Sequence, residues 1–194
     1  MRTCGWASLL LLWAVAVGSL SLGFSRYKAT PGDPGDLPLR WPEASALVHA
    51  SDRPTLILWA HPRCPCTRAS LAELARLAAV LDGRALVEVV FLLPETDATD
   101  WKSSDLVATA RAIPGVEVVY DPAQREATLF GAATSGNVAL YGPAGDLWFS
   151  GGITPARGHQ GDSAGRAAIL ARVLGDASTP AATPIFGCGL LETP

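Results

Sequence analysis

The stretch Thr55-Leu56-Ile57-Leu58-Trp59-Ala60-His61-Pro62-Arg63-Cys64-Pro65-Cys66 decides the fold. Its first six residues form a short apolar run, the pattern of a β-strand buried on both faces. After it the period changes. Leu71, Leu74, Ala78 and Leu81 recur at helical spacing, with Arg68, Glu73 and Arg76 free for the other face, and Asp82-Gly83 closes the run. The spacing predicts a helix over 66–81. Two cysteines therefore sit where a buried strand becomes a helix. Pro65 suits the first helical turn, where its missing N–H costs nothing, and this places Cys64 at the N-cap. There the positive end of the helix and the neighbouring Arg63 favour a thiolate. Cys66, one turn in, is expected to be less exposed, so Cys64 is the nucleophile and Cys66 the resolving thiol.

Downstream, strand-like and helix-like segments alternate. Strands are expected at 87–92 and 116–120, helices at 103–113 and 123–130. A hairpin over 137–141 and 147–150 turns through Gly142-Pro143-Ala144-Gly145, and a last helix covers 163–174. Glu43–Ala50 reads as a short helix before the first strand. The alternation predicts a largely parallel sheet covered by helices, with antiparallel pairing added by the closing hairpin. Residues 43–175 are enough for one complete core.

The N-terminus is different in kind. No charge occurs from Thr3 to Ser25, and 14 of the 20 residues from Gly5 to Phe24 are hydrophobic. Twenty helical residues span about 30 Å, the hydrocarbon thickness of a bilayer. Residues 1–25 are thus read as a transmembrane signal-anchor, or as a signal peptide, with the domain on the outer side of the membrane. Residues 26–42 carry Pro31, Pro34, Pro38 and Pro42 and read as a semi-rigid linker holding the domain off the membrane. This leader accounts for much of the positive mean hydropathy, +0.26.

The whole chain of 194 residues has a net charge of −3. Arg2, Arg26 and Lys28 are three of its 15 basic residues, which leaves 12 against 18 acidic ones in the remainder. An acidic domain without a basic patch is no partner for nucleic acid. The four cysteines divide into Cys4 in the leader and Cys64, Cys66 and Cys188 beyond it. Three is an odd number, so one thiol is free or pairs elsewhere. Cys188 lies in the 176–194 tail, read as flexible, whose Phe186-Gly187-Cys188-Gly189-Leu190 patch is able to fold back on the site. His61 and His159 are candidate proton shuttles or ligands, weighed against ordinary loop histidines. Arg157, in the Gly-rich stretch 151–165, is a candidate lip of the site.

Taken together, Trp59-Ala60 and Pro65-Cys66 on a strand-to-helix junction resemble the thioredoxin-like superfamily, whose familiar segment is Trp-Ala-x-x-Cys-Gly-Pro-Cys. The element order is similar from about Arg53 to Leu174. The resemblance implies a three-layer α/β/α fold with a mixed central sheet, and thiol-disulfide exchange. The membrane-anchored bacterial branch fits best. More narrowly, Cys64-Pro65-Cys66-Thr67-Arg68, the stretch Gly151 to Gly161 and Phe186-Gly187-Cys188 look like RedB-type proteins. Two departures stand out. Arg63 takes the place of the family's first cysteine, so the motif is Cys-x-Cys, whose disulfide would close a small, strained and oxidising ring. And Thr134-Ser135-Gly136-Asn137 has no proline where such folds carry a cis-proline.

Three functions follow as expectations. The first is a thiol-disulfide oxidoreductase in the bacterial inner membrane, single-pass and facing the periplasm. It acts on protein thiols or disulfides through a mixed disulfide at Cys64, resolved by Cys66 or Cys188, and requires no cofactor. The second is a metal module, copper(I) foremost, using Cys64, Cys66 and Cys188 with His159. The third is a non-catalytic binding protein on the same fold.

Overall fold

The computed structural model describes residues 3–94 and 99–190. The reading of Arg2, and the far end of the tail beyond residue 190, lie outside the described residues. The chain begins with α1 (Thr3–Ala29), then runs β1 (Thr55–Ala60), α2 (Thr67–Leu81), β2 (Leu86–Leu93), α3 (Thr99–Lys102) and α4 (Asp105–Arg111). It continues β3 (Val116–Pro122), α5 (Arg125–Leu129), β4 (Val138–Tyr141), β5 (Leu147–Gly151) and α6 (Ala164–Val173). The strands form one sheet in the order β3-β2-β1-β4-β5. β1, β2 and β3 are parallel, β4 runs antiparallel to β1, and β5 antiparallel to β4. This is the thioredoxin-like α/β architecture with a mixed central sheet.

β1 is central and wholly buried because every one of its side chains meets a packed layer. Successive residues point to opposite faces. Leu56, Leu58 and Ala60 join Leu71, Leu74 and Leu77 of α2, Leu106 of α4 and Ile169 of α6. Ile57 and Trp59 join Phe130, Ala139, Tyr141 and Leu190 on the other face. That second face has only α5 as a helix. Much of its cover is chain without regular structure, including Leu37, Trp41 and Leu47.

Three expectations change here. Glu43–Ala50 is not helical. Its amides are drawn to side chains of the domain instead: Ala46 N–H donates to Glu126 (3.1 Å), Val48 N–H to Glu88 (3.3 Å) and Ala50 N–H to the Thr55 hydroxyl (3.0 Å). The Pro-rich segment is not a spacer. Gly32 N–H donates to Ile185 O, Asp36 N–H to Gly131 O, and Leu147 N–H to Leu39 O. Tyr141 Oη donates to Pro38 O at 2.9 Å and Asn137 Nδ2 to Pro34 O at 3.0 Å. The segment is a strap laid on the second face, and it holds the end of α1 against the domain. The tail up to residue 190 is likewise bound rather than flexible. Ala182 bridges Ser150 and Gly189 bridges Thr134, and Ile185 and Leu190 are buried. Prolines and short polar residues mark a lack of helix or strand; they do not mark a lack of contacts.

α1 runs on to Ala29, past the expected end of the leader. Its stretch Ser8–Ala29 is long and apolar enough to cross a membrane, and none of it is buried by the rest of the chain.

The buried carboxylates of the second face carry a pH signature. Glu88 is fully buried, with one oxygen on Val48 N–H and the other without a partner among the described residues. Burial, with Glu117 and Glu126 adding like charge, pushes its carboxyl up from 4.5 to about 7. The folded chain therefore keeps this proton over a range in which the unfolded chain has lost it. The group's contribution to stability is full below about pH 4.5 and is lost as pH rises to about 7. Urea unfolding of Glu88→Gln should show a flatter pH profile across that window and higher stability than the unaltered chain above it.

Candidate functional site

The site forms where three separate segments meet at the carboxyl end of β1. The first is the cysteine turn, residues 61–66. It is shaped by backbone bonds: Cys64 N–H donates to His61 O, and Thr67 N–H donates to Cys64 O, both at 3.1 Å. The regular helix thus begins at Thr67, and the N-cap is Cys66, not Cys64. A tight turn through Pro65, between the two cysteines, precedes the α-helical ladder. The exposure order is also reversed: Cys64 is 2% exposed, whereas Cys66 is half-buried.

The second segment is the 133–137 turn. Gly136 N–H donates to Trp59 O at 2.8 Å, and Trp59 N–H to Asn137 O at 3.0 Å, extending the β1–β4 ladder up to the site. No cis peptide bond occurs among the described residues. Ser135 does the joining. Its buried hydroxyl accepts from His61 N–H at 3.0 Å and pairs with the Thr67 hydroxyl at 2.9 Å. Sequence reasoning noted this turn for its missing proline and overlooked the hydroxyl. The available signal was Thr67 beside the cysteine pair and a second small hydroxyl residue just before β4.

The third segment is the tail. Ser135 N–H donates to Cys188 O and Leu190 N–H to Ala133 O, both at 2.8 Å, a short antiparallel pairing on either side of Thr134 and Gly189. It brings Cys188 Sγ to 2.9 Å from Cys64 Sγ. The sulfurs of Cys64, Cys66 and Cys188 all lie within 4.8 Å of one another.

The three thiols are electrostatically unequal. Burial works against ionising Cys64. The Cys188 thiol and the N–H groups of Cys188, Cys66 and Thr67 outweigh it and hold Cys64 below its ordinary 9.0. Burial pushes Cys66 up, and the charge of Cys64 adds to that. Cys188 is pushed up to about 12 by burial and by its hydrogen bond to Cys64. One thiolate thus forms first, at Cys64, with Cys188 as its S–H donor. Arg157 favours charge on both Cys66 and Cys188.

Arg157 also ties the site to α1. Its guanidinium donates to Gly187 O and Thr30 O and stacks 5.0 Å from the centre of the Tyr27 ring. Beside it lies a cavity of about 590 Å³ lined by Tyr27, Asp33, Thr134, Arg157, Gly187 and Cys188, among others. The other expected residues stand further out. His159 faces Arg157 O at 2.7 Å through Nδ1 and Lys28 Nζ at 3.3 Å through Nε2, so both ring nitrogens are engaged. His61 accepts from Arg63 N–H through Nδ1 and packs on Trp101, with ring centres 4.9 Å apart. Burial, then the charge of Arg63, lowers its pKa. Arg63 is exposed and lies 5.0 Å over the Trp101 ring. Neither histidine belongs to the thiol cluster.

With this geometry the fold defines a thioredoxin-like chain carrying three convergent thiols. No family model matches the sequence, and no curated protein matches it. Solved structures do. An uncharacterized conserved protein from Geobacillus kaustophilus is 21% identical, with TM-score 0.61 over 86% of this chain and 91% of that one. A hypothetical protein from Sinorhizobium meliloti is 22% identical, with TM-score 0.61 over 84% and 95%. A putative thiol:disulfide interchange protein DsbE from Chlorobium tepidum is also similar, at 17% identity and TM-score 0.46 over 77% and 99%. The first two likenesses, at TM-score 0.61, concern the fold.

Two outcomes follow from the site. With Cys4 replaced by Ser, thiolate absorbance during a pH titration should show one group ionising below 9.0 and two above it, and Cys64→Ser should remove the first step. Ser135→Ala leaves the His61 amide without its acceptor. It should lower the unfolding free energy by about 1–3 kcal/mol in urea titrations.

Proposed function

We propose that the chain is a membrane-anchored thiol-disulfide oxidoreductase acting on protein thiols and disulfides, with Cys64 as nucleophile and Cys188 as resolving thiol. The observation that carries the reading is the 2.9 Å approach of Cys188 Sγ to the buried, low-pKa Cys64 Sγ. Cys66, within the same cluster, is the second candidate for resolution. The Cys64 thiolate attacks one sulfur of a substrate disulfide. The Cys64–substrate bond forms, the substrate S–S bond breaks, and one substrate thiolate leaves. The Cys188 sulfur then attacks Cys64, giving up its proton to the departing second thiolate. The substrate has become a dithiol, and Cys64 and Cys188 a disulfide. A dithiol partner then attacks the Cys64–Cys188 bond, passes through a mixed disulfide and leaves as a disulfide itself, which restores both thiols of the chain. Arg157 favours loss of the Cys188 proton, which makes that sulfur nucleophilic.

The apolar helix supports anchoring, and the acidic balance of the chain, net −3, gives no support to a nucleic-acid role. On this reading the domain faces the periplasm, and the site lies close to the membrane surface, because Tyr27 near the end of α1 lines the cavity beside the thiols and Thr30, just past that helix, accepts from Arg157. The test is reduction of a protein disulfide such as insulin by the full chain in detergent, with dithiothreitol as the electron source. Cys64→Ser should fall to the uncatalysed rate, and Cys188→Ser should accumulate a mixed disulfide with substrate. Unchanged turnover in Cys64→Ser contradicts the proposal.

A second reading rests on the same three sulfurs. Three thiolates within 4.8 Å form a soft donor set suited to copper(I). On that reading Cys64, Cys66 and Cys188 are the ligands, and His159 is not, since both its nitrogens are engaged elsewhere. Titration of the reduced chain with copper(I) should give one equivalent bound tightly, lost in Cys188→Ser; binding no tighter than about micromolar contradicts it.

A further inference from the structure

The tail does more than deliver a thiol. Residues 188–190 lie along the 133–135 turn, held through main-chain atoms: Ser135 N–H to Cys188 O and Leu190 N–H to Ala133 O. Nothing in that pair of bonds depends on the identity of the tail's side chains, and strand addition of this kind is open to any extended segment that reaches the edge. One position does depend on identity. A Cβ on Gly187 would lie 1.7 Å from Ser135 O, against fixed backbone. The residue before the reacting cysteine must be glycine for the cysteine to reach Cys64 along this path. Arg157 clamps the same Gly187 carbonyl, and the cavity of about 590 Å³ opens alongside.

We propose, on the basis of the thiol-exchange reading above, that the tail is an internal occupant of a peptide-docking edge. The chain's protein substrates present an extended Gly-Cys segment that takes the tail's place beside Cys64. Cys188 and the substrate cysteine are then mutually exclusive neighbours of Cys64. While substrate is docked and disulfide-bonded to Cys64, the tail is out. When the tail returns it takes back the edge hydrogen bonds and brings Cys188 onto the Cys64 sulfur in the same movement. The Cys64–Cys188 bond forms, the Cys64–substrate bond breaks, and the substrate thiolate leaves with the Cys188 proton. Docking thus competes with a tethered rival whose effective concentration is in the millimolar range.

The experiment uses the full chain in detergent and two blocked hexapeptides. One is Ile-Phe-Gly-Cys-Gly-Leu; the other has alanine in place of the glycine before its cysteine. Each carries its cysteine as a mixed disulfide with thionitrobenzoate, whose release is followed by absorbance. A small aromatic disulfide without a peptide serves as control. The glycine peptide should react with the unaltered chain about tenfold faster than the alanine peptide, because the added methyl meets backbone. In Gly187→Ala, where the tail no longer fits its own edge, the glycine peptide should react about tenfold faster still. Equal rates for the two peptides overturn the proposal. If Gly187→Ala loses its fold by circular dichroism, the comparison of peptides on the unaltered chain decides alone. Reaction of the small disulfide with Cys64 alongside equal peptide rates defeats only the docking edge. Failure of the small disulfide to react with Cys64 defeats the exchange reading and this inference with it.

Discussion

The approach of Cys188 to Cys64 is the contact around which the molecule is arranged. Cys64 is fixed by the turn that ends β1. Cys188 arrives from 124 positions later in the chain and stays because its backbone is paired with the 133–135 turn. That pairing needs the turn to be held against β1 through Trp59, and the cysteine loop to be held against the turn through the Ser135 hydroxyl. It also needs Gly187, the only residue type that lets the two backbones meet there. Each of these supports is a buried hydrogen bond or a close backbone contact, so loss of one leaves a polar group unpaired or a clash.

The same arrangement makes the three thiols chemically distinct. A cluster of three equivalent thiols would ionise with little preference. Burial opposes ionisation of all three; the hydrogen-bond donors converge on Cys64 and outweigh it there, and do not at Cys66 and Cys188. Arg157 stands between the tail and the end of the apolar helix, touching Gly187, Thr30 and Tyr27. The thiol cluster and the end of the apolar helix are therefore one structural unit, joined through Arg157.

Much of the fold was legible in the sequence, because burial on both faces gives parallel strands a continuous apolar signature. The expected strands and most of the helices lie within a few residues of the observed ones, and the helical stop at Asp82-Gly83 matches a left-handed C-cap at Asp82. The Cys64–Cys66 pair was visible from its place at a strand-to-helix junction. What the sequence hid were contacts made by backbone. The 31–50 segment and the tail have no periodicity to read, yet their amides and carbonyls bind the domain. Pro65 invited an early helix start, but the observed turn runs through it and leaves the ladder to begin at Thr67. Exposure of the two cysteines followed from the unseen tail, which covers Cys64.

Disulfide mapping by mass spectrometry of the oxidised full chain bears most directly on this account. After blocking of free thiols and digestion without reduction, a cross-linked peptide joining Cys64 to Cys188 is expected, with Cys66 carrying the blocking group. A Cys64–Cys66 bond with Cys188 blocked would contradict it.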